Sequence, residues 1–148
     1  FGIWMNQYLS GDPITIFGDG EQKRSFTYIG DCLKPLWEAG VSPEASKEII
    51  NMGGEKAYSI NEAAGVLEDV IGERLNRSYQ PQRHEVKEAF CGHLRSHKIG
   101  YKDETRLNQG LGKMWYWAEP SYDYYTERQD THDVAELEVT RGLYDQWK

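Results

Sequence analysis

The residues best suited to chemistry lie between Phe17 and Asp31. Ile14 to Phe17 is a short, apolar, β-favouring run, and Gly18-Asp19-Gly20 interrupts it with a composition suited to a tight turn of positive φ. Lys23 and Arg24 follow at once, and Phe26, Tyr28 and Ile29 resume an ordered segment. Two cations and free backbone N–H groups at one turn suit a phosphate or another anion. Arg24 is the stronger candidate, because its planar fork can hold two phosphoryl oxygens. An ordinary solvated turn has the same composition, so both readings stand at this level.

Other reactive types are weaker. Cys91, His93 and His97, with His84 upstream, could supply metal ligands, and the His93–His97 spacing puts two imidazoles on one helical face. The cysteine has no nearby cysteine partner, so surface histidines and a buried thiol are favoured and no metal is assigned. Cys32 has no His or Lys at an activating spacing and reads as a core thiol. Tyr144 and Lys148 are four apart, but no glycine loop precedes them, and the spacing is read as chance. No catalytic residue is assigned.

The elements that would position the turn follow from periodicity. Phe1 to Leu9 has helical spacing and ends at Gly11-Asp12-Pro13. Asp31 is expected to cap a helix running to Ala39, with Leu33, Leu36 and Trp37 on one side and Pro35 bending its start. Glu48 to Met52 reads as a buried strand before Gly53-Gly54. Ser59-Ile60-Asn61-Glu62 is a capping box, Ala63, Val66, Leu67, Val70 and Ile71 form the apolar stripe behind it, and Gly72 closes that helix. Arg77 to Gln80 reads as a strand, and Leu94 to Ile99 as a helical turn. Thr105 is expected to cap a helix that Pro120 stops. The expected class is α/β, an α+β-like small domain of several helices with short strands, over residues 1–120. Residues 121–148 form an acidic, tyrosine-rich arm.

Composition bounds the rest. The chain has 148 residues, 39% hydrophobic and 28% charged, enough for a real core. A net charge of −7 argues against broad nucleic-acid binding, and no apolar run is long enough to span a membrane. Two cysteines are too few for a disulfide framework, which fits a cytoplasmic protein. The chain opens on Phe1 within a structured segment and so reads as a piece of something longer.

The ordered motifs resemble the C-terminal domain of extended short-chain dehydrogenases/reductases, the group of UDP-glucose 4-epimerases and nucleotide-sugar dehydratases. The resemblance runs through Phe17-Gly18-Asp19-Gly20, Gln22 and Arg24 to Asp31, with Ser25 in place of the usual acidic residue. It continues through Ile50-Asn51-Met52-Gly53-Gly54, Gln82-Arg83-His84-Glu85-Val86, Ser96 to Tyr101, Leu107 to Leu111, and Trp115-Tyr116-Trp117. It covers residues 1 to 119. It implies that Arg24 and Arg83 clamp the two phosphates of a nucleotide-sugar, with Phe17, Tyr28 and Gln22 beside them.

No dinucleotide fingerprint matches, since Gly18-Asp19-Gly20 lacks a third glycine and a following helix. The expectation is therefore a substrate-binding half without its Rossmann domain, not catalytic alone. No cofactor is expected in this chain, and NAD is implied for the complete enzyme. Its enzyme status is left open. A Rossmann-domain partner or self-association would cover Trp37, Ile49 and Ile50. The alternatives are a protein-interaction or structural module that has lost its ligand, and a subunit completing a split epimerase.

Overall fold

A computed structural model describes residues 1–89 and 91–128, without the side chains of 121–128. Helix α1 (Gly2–Leu9) places Met5 in the core, 1% exposed, and its Trp4 indole donates to the Thr15 carbonyl at 2.8 Å. That bond docks α1 on strand β1 (Ile14–Phe17), where Ile14 and Ile16 are buried and the residues between them half-buried. The turn then leads into β2 (Lys23–Ser25) and helix α2 (Ile29–Val41). Strand β3 (Ala57–Ser59) runs directly into α3 (Ile60–Ile71). Strands β4 (Arg77–Gln80) and β5 (Glu88–Ala89) and helix α4 (Leu107–Arg128) complete the order.

Strand pairing corrects the expected fold class. β1 pairs in parallel with β4, from Ile14 opposite Arg77 to Phe17 opposite Gln80, and α3 lies in the crossover. β2 pairs in parallel with β5 and antiparallel with β3. A parallel pair requires a long crossover, and a helix commonly supplies it. This is the β/α unit of Rossmann-type sheets, rather than an α+β-like domain of helices with separate short strands. The core forms where α3 and α4 cover β1: Ala64 and Leu67 of α3 are 0% exposed and Leu111 of α4 is 3% exposed.

The capping box is present in full. The Ser59 hydroxyl accepts from the Glu62 N–H at 3.0 Å, the Glu62 carboxylate accepts from the Ser59 N–H at 2.7 Å, and Gly72 ends the helix at φ 84°. Ser59 is buried, so Ser59→Ala should cost about 1–2 kcal/mol by chemical denaturation, whereas Ser59→Asp should retain most of the stability.

Four local expectations are revised. Asp31 lies in the first turn of α2 instead of capping it, and its carboxylate accepts from the Thr105 N–H and hydroxyl, each at 2.8 Å. The side chain thus serves the approach to α4. Pro35 sits in the middle of α2 and is buried, while Leu33, Leu36 and Trp37 point outward at 60%, 59% and 69% exposed. Residues 48–52 form no strand, and Ile49 is 79% exposed with no strand beside it among the described residues. Helix α4 continues through Pro120, so the boundary between domain and arm falls inside a helix. Residues 129–148, including Tyr144 and Lys148, lie outside the described residues.

Tyr101 is fully buried, and its hydroxyl donates to the Gly53 carbonyl at 2.8 Å, which ties the glycine pair to the segment before α4. Burial pushes its phenol up to about 12, and the Asp103 charge adds to the shift. The unfolded chain ionises Tyr101 near its ordinary value of about 10, while the folded chain does not. Stability should therefore be unaffected by this group below pH 10 and fall between pH 10 and 12, by about 2–3 kcal/mol. Alkaline denaturation of Tyr101→Phe should lack that decline. An identical alkaline profile would show that another group causes it.

Candidate functional site

The carboxyl ends of β1 and β4 open on a cavity of about 160 Å³ lined by Phe17, Gly18, Gln22, Arg83, Glu85 and Lys87, among others. In open α/β sheets the carboxyl ends of parallel strands are where ligands bind. Arg83 stands just beyond β4, with its guanidinium over the Phe17 ring at 3.4 Å from the centroid. Parallel register puts Phe17 opposite Gln80, so β1 and β4 deliver the ring and the cation to the same place. Arg83 makes no ion pair among the described residues, and neither does Lys87. Arg83 and Lys87 therefore share one polar cavity with the Asp19, Glu21 and Glu85 carboxylates.

Arg24 is engaged by groups of the protein itself. Its Nη2 pairs with Glu85 Oε2 at 3.0 Å, and its Nη1 donates to the carbonyls of Val86 at 3.0 Å and Lys23 at 2.8 Å. These bonds fasten β2 to the segment after β4 and hold Glu85 at the cavity wall. Arg24 is a positioning residue in this state. Gln22 is a wall residue whose amide donates to the Phe17 carbonyl at 2.9 Å.

The glycine turn is not free to receive a ligand. The Asn61 amide donates to the Asp19 carbonyl at 2.8 Å and to the Glu21 carboxylate at 2.7 Å. A Cβ on Gly20 would clash with Asn61 Oδ1, so the Asn61 amide occupies the space beside Gly20.

Tyr28 is not brought to this cavity. It precedes α2 and lines a separate, apolar cavity of about 450 Å³ with Phe1, Phe26, Leu107, Met114 and others. Lys113 lies 4.4 Å from its ring centroid. Phe17, Gln22 and Arg83 therefore converge, Arg24 joins them through Glu85, and Tyr28 stands apart. Lys87 and Asn61 were missed from sequence. Lys87 had a signal, since Arg83, Glu85 and Lys87 alternate and would share one side of an extended segment. Asn61 had none, because its role depends on α3 packing beside a turn 40 residues earlier.

Cys32 is no nucleophile in this environment. Burial pushes its thiol up, and the Asp31 and Asp103 carboxylates raise it further, which disfavours the thiolate.

Comparison with known proteins matches residues 2–53 to the NAD dependent epimerase/dehydratase family. An uncharacterized UDP-glucose epimerase of Bacillus subtilis is 39% identical over 70 residues, covering 47% of this chain and 22% of that protein. A putative UDP-glucose 4-epimerase of Methanocaldococcus jannaschii is 31% identical over 116 residues, covering 78% of this chain and 37% of that protein. The crystal structure of UDP-glucuronic acid 4-epimerase from Bacillus cereus, with UDP-glucuronic acid and NAD, superposes with a TM-score of 0.74 at 28% identity, covering 80% of this chain and 38% of that one. The chain thus spans less than two fifths of each of these relatives.

These matches correct the expectation of a C-terminal, substrate-binding domain set apart from the cofactor. The family whose description fits residues 2–53 is itself defined by NAD dependence, and the superposed structure holds NAD together with the nucleotide-sugar. The expectations that rested on that separation fall with it: a non-catalytic substrate half, an undecided enzyme status, and no cofactor in this chain. No helix among the described residues is long and apolar enough to cross a membrane.

Proposed function

We propose that this chain is a working part of an NAD-dependent nucleotide-sugar epimerase or dehydratase, and that the cavity at the ends of β1 and β4 holds a nucleoside diphosphate group. The observation that carries this reading is Arg83, a cation without an ion pair among the described residues, held flat on Phe17 at the mouth of a parallel strand pair. A stacked guanidinium keeps its N–H edge free and pre-oriented, so little freedom is lost when it meets phosphoryl oxygens. Lys87 adds a second positive charge.

NAD and nucleotide-sugars share the diphosphate, so Arg83 and Lys87 would meet the same group in either. The fit differs from that of a glycine-loop cradle, because Asn61 occupies the turn and side chains must supply the contacts. When bound, NAD supplies hydride transfer. The described residues contribute anion binding, orientation by Phe17 and Gln22, and the Arg24–Glu85 brace. A cytoplasmic location accords with this reading. The outward apolar side of α2 is the surface that self-association would cover, and sedimentation over a concentration series tests that.

The experiment is calorimetric titration of the chain with UDP-glucose, UDP-glucuronic acid and GDP-mannose in one arm and NAD in the other. Saturable binding of a nucleotide-sugar that is lost in Arg83→Ala supports the cavity as its site. Loss of NAD binding alone in that variant assigns the cavity to the cofactor diphosphate. Absence of binding in both arms refutes diphosphate binding by this chain.

A further inference from the structure

Away from the diphosphate cavity, the fold brings Glu55 to the His93–His97 pair. Glu55 follows the buried Gly53-Gly54 pair, His93 precedes the short helical turn Ser96–Ile99, and His97 lies within it. His93 Nε2 lies 3.4 Å and His97 Nε2 3.9 Å from the same oxygen, Glu55 Oε1, and one ligand atom from each residue lies within 4.8 Å of the others. We infer that Glu55, His93 and His97 form a binding site for a divalent transition metal of the zinc class.

Three observations support this. A tetrahedral ion with ligand bonds of about 2.1 Å sets its donors about 3.4 Å apart, and the His93–Glu55 distance already has that value. His97 and Glu55 have half-exposed side chains with room to close the remaining gap. The other His93 nitrogen, Nδ1, is buried with no hydrogen-bond partner, and Nε2 is the ring nitrogen that faces Glu55. The Glu55 backbone is anchored as well, since its N–H donates to Asp103 at 2.8 Å. Two neutral imidazoles and a carboxylate suit zinc, and three protein ligands leave a fourth position to water. The ion would clip the glycine-pair loop to the 93–100 turn across Tyr101. His84 and Cys91, the other metal-ligand types in this stretch, are outside the cluster: His84 lines a separate surface depression, and Cys91 Sγ faces Gly53.

The test is titration of the metal-free chain with zinc chloride by calorimetry, and with cobalt chloride by visible absorption, where tetrahedral coordination gives intense d–d bands. One equivalent should bind, and zinc should raise the melting temperature by mass action. Glu55→Gln and His97→Ala should each weaken zinc binding at least about tenfold and abolish the thermal shift. Both side chains are substantially exposed, so these variants should keep the wild-type circular dichroism spectrum. Cys91→Ser and His84→Ala should bind zinc as the wild type does. No binding at millimolar zinc, or binding that survives both cluster variants, overturns the inference.

Discussion

Arg83→Ala is expected to weaken binding of the diphosphate ligand by about 10- to 100-fold, with little change in stability. Hydrogen bonds to a charged partner contribute roughly 1.5–3 kcal/mol each, and tenfold corresponds to about 1.4 kcal/mol. No ion pair among the described residues has to be broken to free the guanidinium, and its stacking on Phe17 at 3.4 Å fixes its plane. Arg83→Lys should recover only part of the affinity, because an ammonium keeps the charge but loses the planar fork. Phe17→Leu should weaken binding less, through loss of a cation–π contact of about 0.5–2 kcal/mol. Arg24→Ala is the informative contrast. Arg24 already pairs with Glu85 and two carbonyls, so its loss should act by loosening the 85–88 segment. Calorimetry with the bound nucleotide decides the matter. Unchanged affinity in Arg83→Ala would remove this cavity from the ligand's path.

Gly54→Ala is expected to be the most destabilising conservative change at the glycine pair, at about 3 kcal/mol. A Cβ at Gly54 would lie 2.5 Å from the Phe26 carbonyl oxygen and within 3.3 Å of two further Phe26 backbone atoms. Backbone cannot rotate aside as a side chain can, so the strand-to-helix connection through Phe26 must shift. For a domain of this size the loss corresponds to about 10 °C in melting temperature. Gly53→Ala meets the Cys91 sulfur at 2.5 Å instead. Its cost should therefore be largely relieved in the Gly53→Ala, Cys91→Ala double variant, while Cys91→Ala should not rescue Gly54→Ala. Equal rescue of both would contradict this account. The comparison can be made by thermal melts of four proteins.

Several elements could be read from local sequence because their causes are local. The Ser59–Glu62 box, the α3 stripe and the Gly72 stop lie within 14 consecutive residues, and all are present. The apolar, β-favouring run Ile14 to Phe17 forms β1, and Gly100 ends the turn before Tyr101, at φ 78°. Residues 48–52 were misread because an apolar run forms a strand only if another strand lies beside it. Asp31 was misread as a cap because its partner, Thr105, is 74 residues away.

The same division holds for the site. Residue chemistry alone pointed to an anion at the turn with Lys23 and Arg24, and the family resemblance added Phe17, Gln22 and Arg83 as expectations. Neither determined which arginine is available. Only the tertiary structure decided that Glu85 takes Arg24, that Phe17 presents Arg83, that Asn61 closes the glycine turn, and that Tyr28 faces another cavity. The parallel register of β1 and β4, and the meeting of Glu55 with His93 and His97, were likewise tertiary outcomes. The physical reason is common to them all. Charge pairing and ligand convergence act over a few ångströms between segments 38 to 74 residues apart, and sequence spacing carries no information about such distances.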